Sequence, residues 1–297
     1  MKTFNIKKIL IPIDFSETAF LAIEHACFMA KIFKADLVLL HVFEKHWERF
    51  NMFVQPEFVF ENASELSDKI EKRLTEIAEN IQKDYGISPM VILADGNICN
   101  EIVKVSKENQ IDLIIMGTHG VSGFEEFFLG SNAYKVVTSS ICPVVTVQAQ
   151  SKSLGFKSIL LPIDNSMHSR QKVDHAVELA KHYGAKIHII GLMNNSDEEV
   201  SKKFEIKLDQ VQAYIEKSGL AFSRKTILGN NQAVMTLDYS KQVNADLIAI
   251  MTDQEETIFF LGAYAQQIVN HSTIPVMSIR PTIGYIDFPA LSGGYHS

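Results

Sequence analysis

Asp112-Leu113-Ile114-Ile115-Met116-Gly117-Thr118-His119-Gly120 is an apolar run ending in a glycine turn, and after nine further residues comes Gly130-Ser131. The unbroken apolar run predicts a strand buried on both faces, and the Gly-Ser step opens a helix-like segment over 131–139. Strand, glycine turn and helix start in this order are suited to holding phosphate. Glycine at 117 and 120 admits a positive φ and lets backbone amides approach an anion with no Cβ in the way. The helix N-terminus adds free N–H groups and a favourable dipole, and the Ser131 hydroxyl is a further donor. The stretch therefore predicts a nucleotide site at the carboxyl end of a strand.

Working outward, the first half of the chain alternates short apolar runs with amphipathic segments. Strands are predicted over 9–13, 37–42, 88–93, 112–116 and 144–147, with helices over 16–33, 64–85, 97–108 and 131–139. Five strands separated by helices of this size imply an α/β fold with a doubly wound parallel sheet. Ser16, Ser64 and Asn97 are the expected helix caps. Between strand two and its helix, His46 to Asn62 crowds Trp47, Phe50, Met52, Phe53, Phe58, Val59 and Phe60 into a presumed loop. That run reads as a lid, a partner surface or packing over the domain's own flank.

The pattern then returns. Lys8-Ile9-Leu10-Ile11-Pro12-Ile13-Asp14 recurs as Ser158-Ile159-Leu160-Leu161-Pro162-Ile163-Asp164, His25-Ala26 as His175-Ala176, Asp112-Leu113-Ile114 as Asp246-Leu247-Ile248, and Phe127-Phe128-Leu129-Gly130 as Phe259-Phe260-Leu261-Gly262. A repeat this long is a whole domain rather than a solenoid unit. The predicted division is 1–150, 151–281 and a tail over 282–297, with the boundary in the polar stretch near Gln148 to Phe156. A chain of 297 residues with 46% hydrophobic content can build a core in each.

A formal net charge of -7 gives no broad cationic surface, which argues against nucleic acid and anionic membranes as partners. Cys27, Cys99 and Cys142 are odd in number and widely spaced, so they read as buried thiols rather than disulfides or a zinc cluster. No signal-peptide core or long apolar span is evident, and a cytoplasmic protein is expected.

In a doubly wound sheet the ligand lies beyond the strand ends where the chain reverses its direction of winding. With strand one central, Asp14 and the 117–120 loop face one cleft. Asp14 suits ribose hydroxyls or a base amino group, and Val42 can line an adenine pocket. His119 is open to three readings: general base, phosphate donor or loop clasp. No Gly-Lys-Ser/Thr step is present, so this is no Walker-type loop, and Gly120-Val121-Ser122-Gly123 misses the esterase elbow spacing. His25 and His175 read as structural. No His/Cys/Asp cluster has metal-ligand spacing, so magnesium would arrive with the phosphates.

Gly117, Gly120, Gly130 and Ser131, taken with Pro12-Ile13-Asp14-Phe15-Ser16, Leu40-His41-Val42 and Met116-Gly117-Thr118-His119-Gly120, resemble the universal stress protein family in its tandem two-domain form. The resemblance covers nearly the whole chain except the aromatic stretch and the tail. It implies a sheet order of 3-2-1-4-5 in each half and a bound ATP or another adenine nucleotide. Pro12, Ile13, Asp14, Val42 and Met116 would surround base and ribose, and Gly117, Thr118, His119, Gly120, Gly130, Ser131 and Asn132 the ribose and phosphates. It further implies pairing through the last strands, Val144 to Val147 and Val276 to Ile279, within the chain or as a homodimer, with the protein partner unknown. The second half departs from the pattern. Met251, Gln254 and Ala263 stand where Gly117, Gly120 and Ser131 stood, and Asp253, Glu255 and Glu256 add carboxylates. That half is expected to serve as pairing partner or as a different ligand's site. The leading functional expectation is a regulatory ATP-binding stress-response protein with at most weak hydrolysis. A slow ATPase or nucleotide-dependent enzyme, and a nucleotide-independent scaffold, are the alternatives.

Overall fold

The computed structural model describes residues 4–43, 56–118, 130–151, 153–194, 197–252 and 262–282, side chains of 56–66 excepted. The chain divides into two compact units. Asn5–Gly155 forms one, and Phe4 with the described residues from Phe156 onward forms the other.

The first unit runs β1 (Lys8–Pro12), α1 (Glu17–Phe33), β2 (Asp36–Phe43), α2 (Pro56–Tyr85), β3 (Met90–Asp95), α3 (Ile98–Glu108), β4 (Leu113–Gly117), α4 (Ser131–Ser139) and β5 (Val144–Val147). Its strands are parallel in the order β3-β2-β1-β4-β5, the order expected. The second unit repeats this with β6 (Ser158–Ile163), α5 (Val173–Tyr183), β7 (Lys186–Met193), α6 (Glu198–Lys217), β8 (Phe222–Leu228), α7 (Gln232–Gln242), β9 (Leu247–Met251), α8 (Ala263–His271) and β10 (Val276–Ile279), ordered β8-β7-β6-β9-β10.

The central strands are apolar on both faces because helices cover both; Ile9, Leu10 and Ile11, and Leu113, Ile114 and Ile115, are all fully buried. Helix α1 starts where Ser16 Oγ accepts the Ala19 N–H at 3.2 Å and ends at Lys34, a left-handed residue whose N–H returns to Ala30 O. Ala22, Ala26 and Ala30 fall four apart on its buried face, so the helix sits close to the sheet. In both units an aspartate staples strand starts together. Asp112 Oδ2 accepts the N–H groups of Lys7 and Lys8, and the Asp246 carboxylate accepts those of Lys157 and Ser158.

Two expectations change. Ser64 is no cap: α2 already begins at Pro56, so Ser64 lies inside the helix and Phe58, Val59 and Phe60 belong to its first turns. The rest of the aromatic stretch, including Trp47, Phe50, Met52 and Phe53, lies outside the described residues. The three cysteines carry free thiols, but Cys142 is only half-buried. His25 is buried, with Nε2 2.9 Å from Ser151 O. Among the described residues no helix is long and apolar enough to cross a membrane.

Candidate functional site

The cleft arises from a ladder that stops early. Strands β1 and β4 pair only at Ile9↔Leu113 and Leu10↔Ile114, although both continue beyond. Ile13 donates to Leu40 O of β2 at 2.8 Å. By strand alternation the Pro12 nitrogen then faces β4, where it has no hydrogen to give. The strand ends part there, and the chain winds outward on opposite sides of the gap. Proline at this position thus opens the crevice.

A cavity of about 90 Å³ occupies the gap. Pro12, Ile13 and Asp14 come from the end of β1, Leu40, His41 and Val42 from β2, Met116 and Gly117 from β4, Ser16 and Ala19 from the start of α1, Ile98 and Ile102 from α3, and Asn132 from α4. Seven residues predicted for the ligand, Pro12, Ile13, Asp14, Val42, Met116, Gly117 and Asn132, are therefore brought together. Thr118 is not among the lining: it is buried, and its Oγ1 and N–H both point at Val147 O, 3.3 and 3.1 Å away. His119 and Gly120 lie outside the described residues.

Asp14 is exposed. Its Oδ1 accepts the Ser16 N–H at 3.0 Å and the Ser16 hydroxyl at 2.6 Å. This local turn fixes the carboxylate and leaves Oδ2 for a ligand's hydroxyl or amino hydrogens. Gly117 behaves differently from the expectation. It is a strand residue paired with Val147, and its φ is not in the positive region. A Cβ there would lie 2.5 Å from Thr18 Oγ1 and 2.9 Å from the Thr18 backbone carbon. Glycine is required because the first turn of α1 crosses directly over it.

Gly130 is a second correction. Its amide, expected to be free, donates to Thr118 O at 2.8 Å, holding the end of β4 against the start of α4. As the cap residue it has no side chain to satisfy the following amides. Among the described residues, no protein group accepts from the N–H of Ser131 or Asn132. Those two amides, with the exposed Ser131 hydroxyl, form the uncapped end of α4.

Sequence reasoning assigned no role to His41 or Phe15. His41 Nδ1 is 2.6 Å from Ile13 O, and since a carbonyl only accepts, Nδ1 carries the hydrogen. Burial pushes the imidazole pKa down, against the pull of the Ile13 carbonyl and the Asp14 charge. The neutral ring thus presents Nε2 as an acceptor. Phe15, held at φ 63° in the left-handed region, lies 4.9 Å from the His41 ring, and the Arg73 guanidinium sits 4.7 Å from the Phe15 ring. A bulky side chain in that conformation is a strained position of the kind that clusters at ligand sites. Ile98 and Ile102, four apart on α3, were visible only as part of an amphipathic helix.

The second unit shares the early ladder stop, with β6 and β9 paired only at Ile159↔Leu247 and Leu160↔Ile248. Its cavity, about 250 Å³, is lined by Asp164, Asn165 and Ser166 after β6, Leu192, Met193 and Asn194 around the end of β7, Val200 and Phe204 of α6, and Gln232 of α7. Asp253, Gln254, Glu255 and Glu256 lie outside the described residues.

A model described as the universal stress protein family matches residues 5–148 and again 155–280. The chain belongs to the universal stress protein family. Universal stress protein MJ0577 of Methanocaldococcus jannaschii is 33% identical over 156 residues, which is 49% of this chain and 96% of that protein. Universal stress protein YxiE of Bacillus subtilis is 32% identical over 145 residues, 48% of this chain and 98% of that one. Among solved structures, a universal stress protein from Archaeoglobus fulgidus superposes with a TM-score of 0.73 at 22% identity, covering 94% of this chain and 97% of its own. A Pseudomonas aeruginosa structure named as a putative universal stress protein gives 0.69 at 17% identity, covering 95% of each. Those two likenesses concern the fold.

Proposed function

We propose that the first unit of this universal stress protein binds ATP or another adenine nucleotide, with magnesium entering on the phosphates, and that the bound nucleotide regulates rather than reacts. The observation that carries this reading is the single crevice between the ends of β1 and β4. Asp14, Val42 and Met116 line it together with Asn132 of the uncapped first turn of α4. Apolar groups suit a base, the carboxylate suits ribose hydroxyls, and the α4 amides suit phosphate. The proposed division of labour is 1–150 for the nucleotide, 151–281 as a second domain without an ATP site, and 282–297 as a tail. A regulatory role fits the lining, since among the described residues it holds no lysine or arginine to stabilise a transferring phosphoryl group. Cytoplasmic residence in a stress response is part of the proposal, supported by free thiols, among them Cys27, whose pKa burial pushes up to about 12.

The test is to denature purified protein, identify released nucleotide by mass, and titrate ATP into nucleotide-free protein. The comparison is Ser131→Glu, which places a carboxylate at the exposed first turn of α4, where it suits the helix dipole but repels phosphate. The expected result is one adenine nucleotide per first unit, with affinity weakened by about tenfold or more in Ser131→Glu at unchanged helix content. No released nucleotide and no binding of added ATP would remove the reading and leave the interaction scaffold in its place.

A further inference from the structure

We propose that Arg73 of α2 is a positioning residue of the nucleotide site: it holds Phe15 in its left-handed conformation and, through it, the Asp14 carboxylate in the crevice. The inference rests on the reading of the first unit as a nucleotide binder, and it names a residue outside the crevice lining that sets the affinity. Phe15 lies between Asp14 and Ser16, which both line the crevice. Its φ of 63° fixes the direction of the chain between them. In that conformation Asp14 Oδ1 receives the Ser16 N–H and hydroxyl, and Ser16 Oγ in turn caps α1. An ordinary negative φ at residue 15 would swing Asp14 away from the Ser16 amide and take its carboxylate out of the crevice.

A bulky side chain stays at positive φ only where its surroundings hold it there. Local sequence is not the cause. Asn165 stands at the Phe15 position of the second unit, and although asparagine tolerates the left-handed region far better than phenylalanine, Asn165 is not in it. What holds Phe15 is a row of rings ended by a charge. Phe43 meets His41 edge-on at 5.3 Å, His41 lies 4.9 Å from Phe15, and the Arg73 guanidinium sits 4.7 Å from the Phe15 ring. His41 is itself locked by the Ile13 carbonyl, so the strands supply a fixed wall and α2 supplies the cation.

The second unit repeats the device with different chemistry. Leu74 and Ile81 of α2 correspond to Leu208 and Ile215 of α6, a buried pair with the same spacing in each helix. On this alignment Arg73 matches Lys207, each directly before the buried leucine. Lys207 also grips the loop after its unit's first strand, with Nζ donating to Asn165 O at 2.8 Å and Ser166 O at 3.1 Å. Gly191 stands at the His41 position and supplies no ring, so the lysine takes carbonyls where the arginine takes an aromatic face. The same helix position thus carries a cation onto the same loop in both units, which the apolar packing of the helix does not by itself require.

The test measures ATP and adenosine binding by calorimetry in the nucleotide-free full chain carrying Arg73→Gln, Arg73→Lys or Phe15→Leu, and the exchange of the Ser16 amide by NMR. A positioning role acts on the ribose contact, so Arg73→Gln is expected to weaken ATP and adenosine alike, by about fivefold, the scale of an exposed cation–π contact. Arg73→Lys keeps the cation and holds both affinities within about twofold. In Phe15→Leu protein, Arg73→Gln costs nothing further, because the ring it acts through is gone. Without ligand, the Ser16 amide exchanges about fivefold faster in Arg73→Gln than in the unaltered protein, and Arg73→Lys restores it. Loss of ATP affinity with adenosine unchanged would mean a charge acting on phosphate from a distance, and would overturn the inference. So would an Arg73→Gln penalty undiminished by Phe15→Leu, or Ser16 exchange that does not respond. Should the unaltered protein bind neither ATP nor adenosine, the reading of the first unit fails, and Ser16 exchange alone decides whether Arg73 holds the turn.

Discussion

At the entry of its first helix each unit makes a different choice, and the two also differ at one residue on a neighbouring strand. In the first unit Gly117 leaves room for Thr18, and α1 begins at Glu17, directly after the Ser16 cap. In the second, Met251 stands at the Gly117 position with its side chain buried. There α5 has 11 residues where α1 has 17, and residues 165–172 form bends and turns instead of helix. Its first residue follows Lys172, whose side chain makes no capping bond. A side chain at the strand end and a helical turn above it compete for the same volume. The glycine that looked like a phosphate device is first a packing device, and the helix start it permits is what walls the crevice with Ser16 and Ala19.

The harshest way to break this comparison is to give the first unit the second unit's residue. Gly117→Met drives Cβ into the Thr18 backbone, a contact that no rotamer relieves. We expect a loss of about 3 kcal/mol or more in chemical denaturation, with reduced far-UV helix signal as the first turns of α1 unwind. A Gly117→Met protein with unchanged stability and helix content would show that the shortened α5 has another cause.

Much of this was legible in the sequence. The apolar runs gave the strands to within about two residues because parallel strands covered on both faces have no alternation to misread. Asn97 announced α3, and the repeat announced the second unit. The cavity lining was readable where a residue's type matched a chemical role, as for Asp14 and Val42. It failed where the reason lies across the fold. Gly117 answers to Thr18, nearly a hundred residues earlier in the chain, and His41 is locked by the Ile13 carbonyl, which no spacing rule reveals. The start of α2 was missed because the aromatic crowding hid its period. Pro56 at the first helical position was the available signal.

A second difference is charge inside the turn. Lys172 is buried at the position of the fully buried Ala22, and its Nζ donates to Ser169 O at 2.7 Å. Its charge holds the Asp164 carboxyl below 3.8, whereas Asp14 is exposed and has no such partner among the described residues. A carboxyl lowered in the fold contributes stability that is present above its ordinary value and lost as pH falls through the lowered one. Lys172→Met removes the compensating charge and leaves burial to push the carboxyl up. We expect a loss of about 2 kcal/mol at neutral pH, shrinking as pH falls and Asp164 protonates. Urea denaturation at pH 7 and pH 4 measures both. A penalty that does not change with pH would mean that Lys172 acts by packing alone.

The smallest effect tests where the units agree. Asn97 Oδ1 accepts the Asn100 N–H at 3.1 Å at the start of α3, and Asn231 Oδ1 accepts the Val234 N–H at 3.1 Å at the start of α7. Each cap satisfies one amide that the helix cannot pair, and both helices have 11 residues. Asn97→Ala and Asn231→Ala should therefore each cost about 1 kcal/mol, and the two losses should be equal within about half that. Separate unfolding curves for the two variants decide it. Equal losses would mean that divergence between the units stops at the crevice between strand ends, where Met251 and Lys172 act. Unequal losses would mean that the change at Met251 has spread through the sheet to the outer helices, and the two units could no longer be compared one residue at a time.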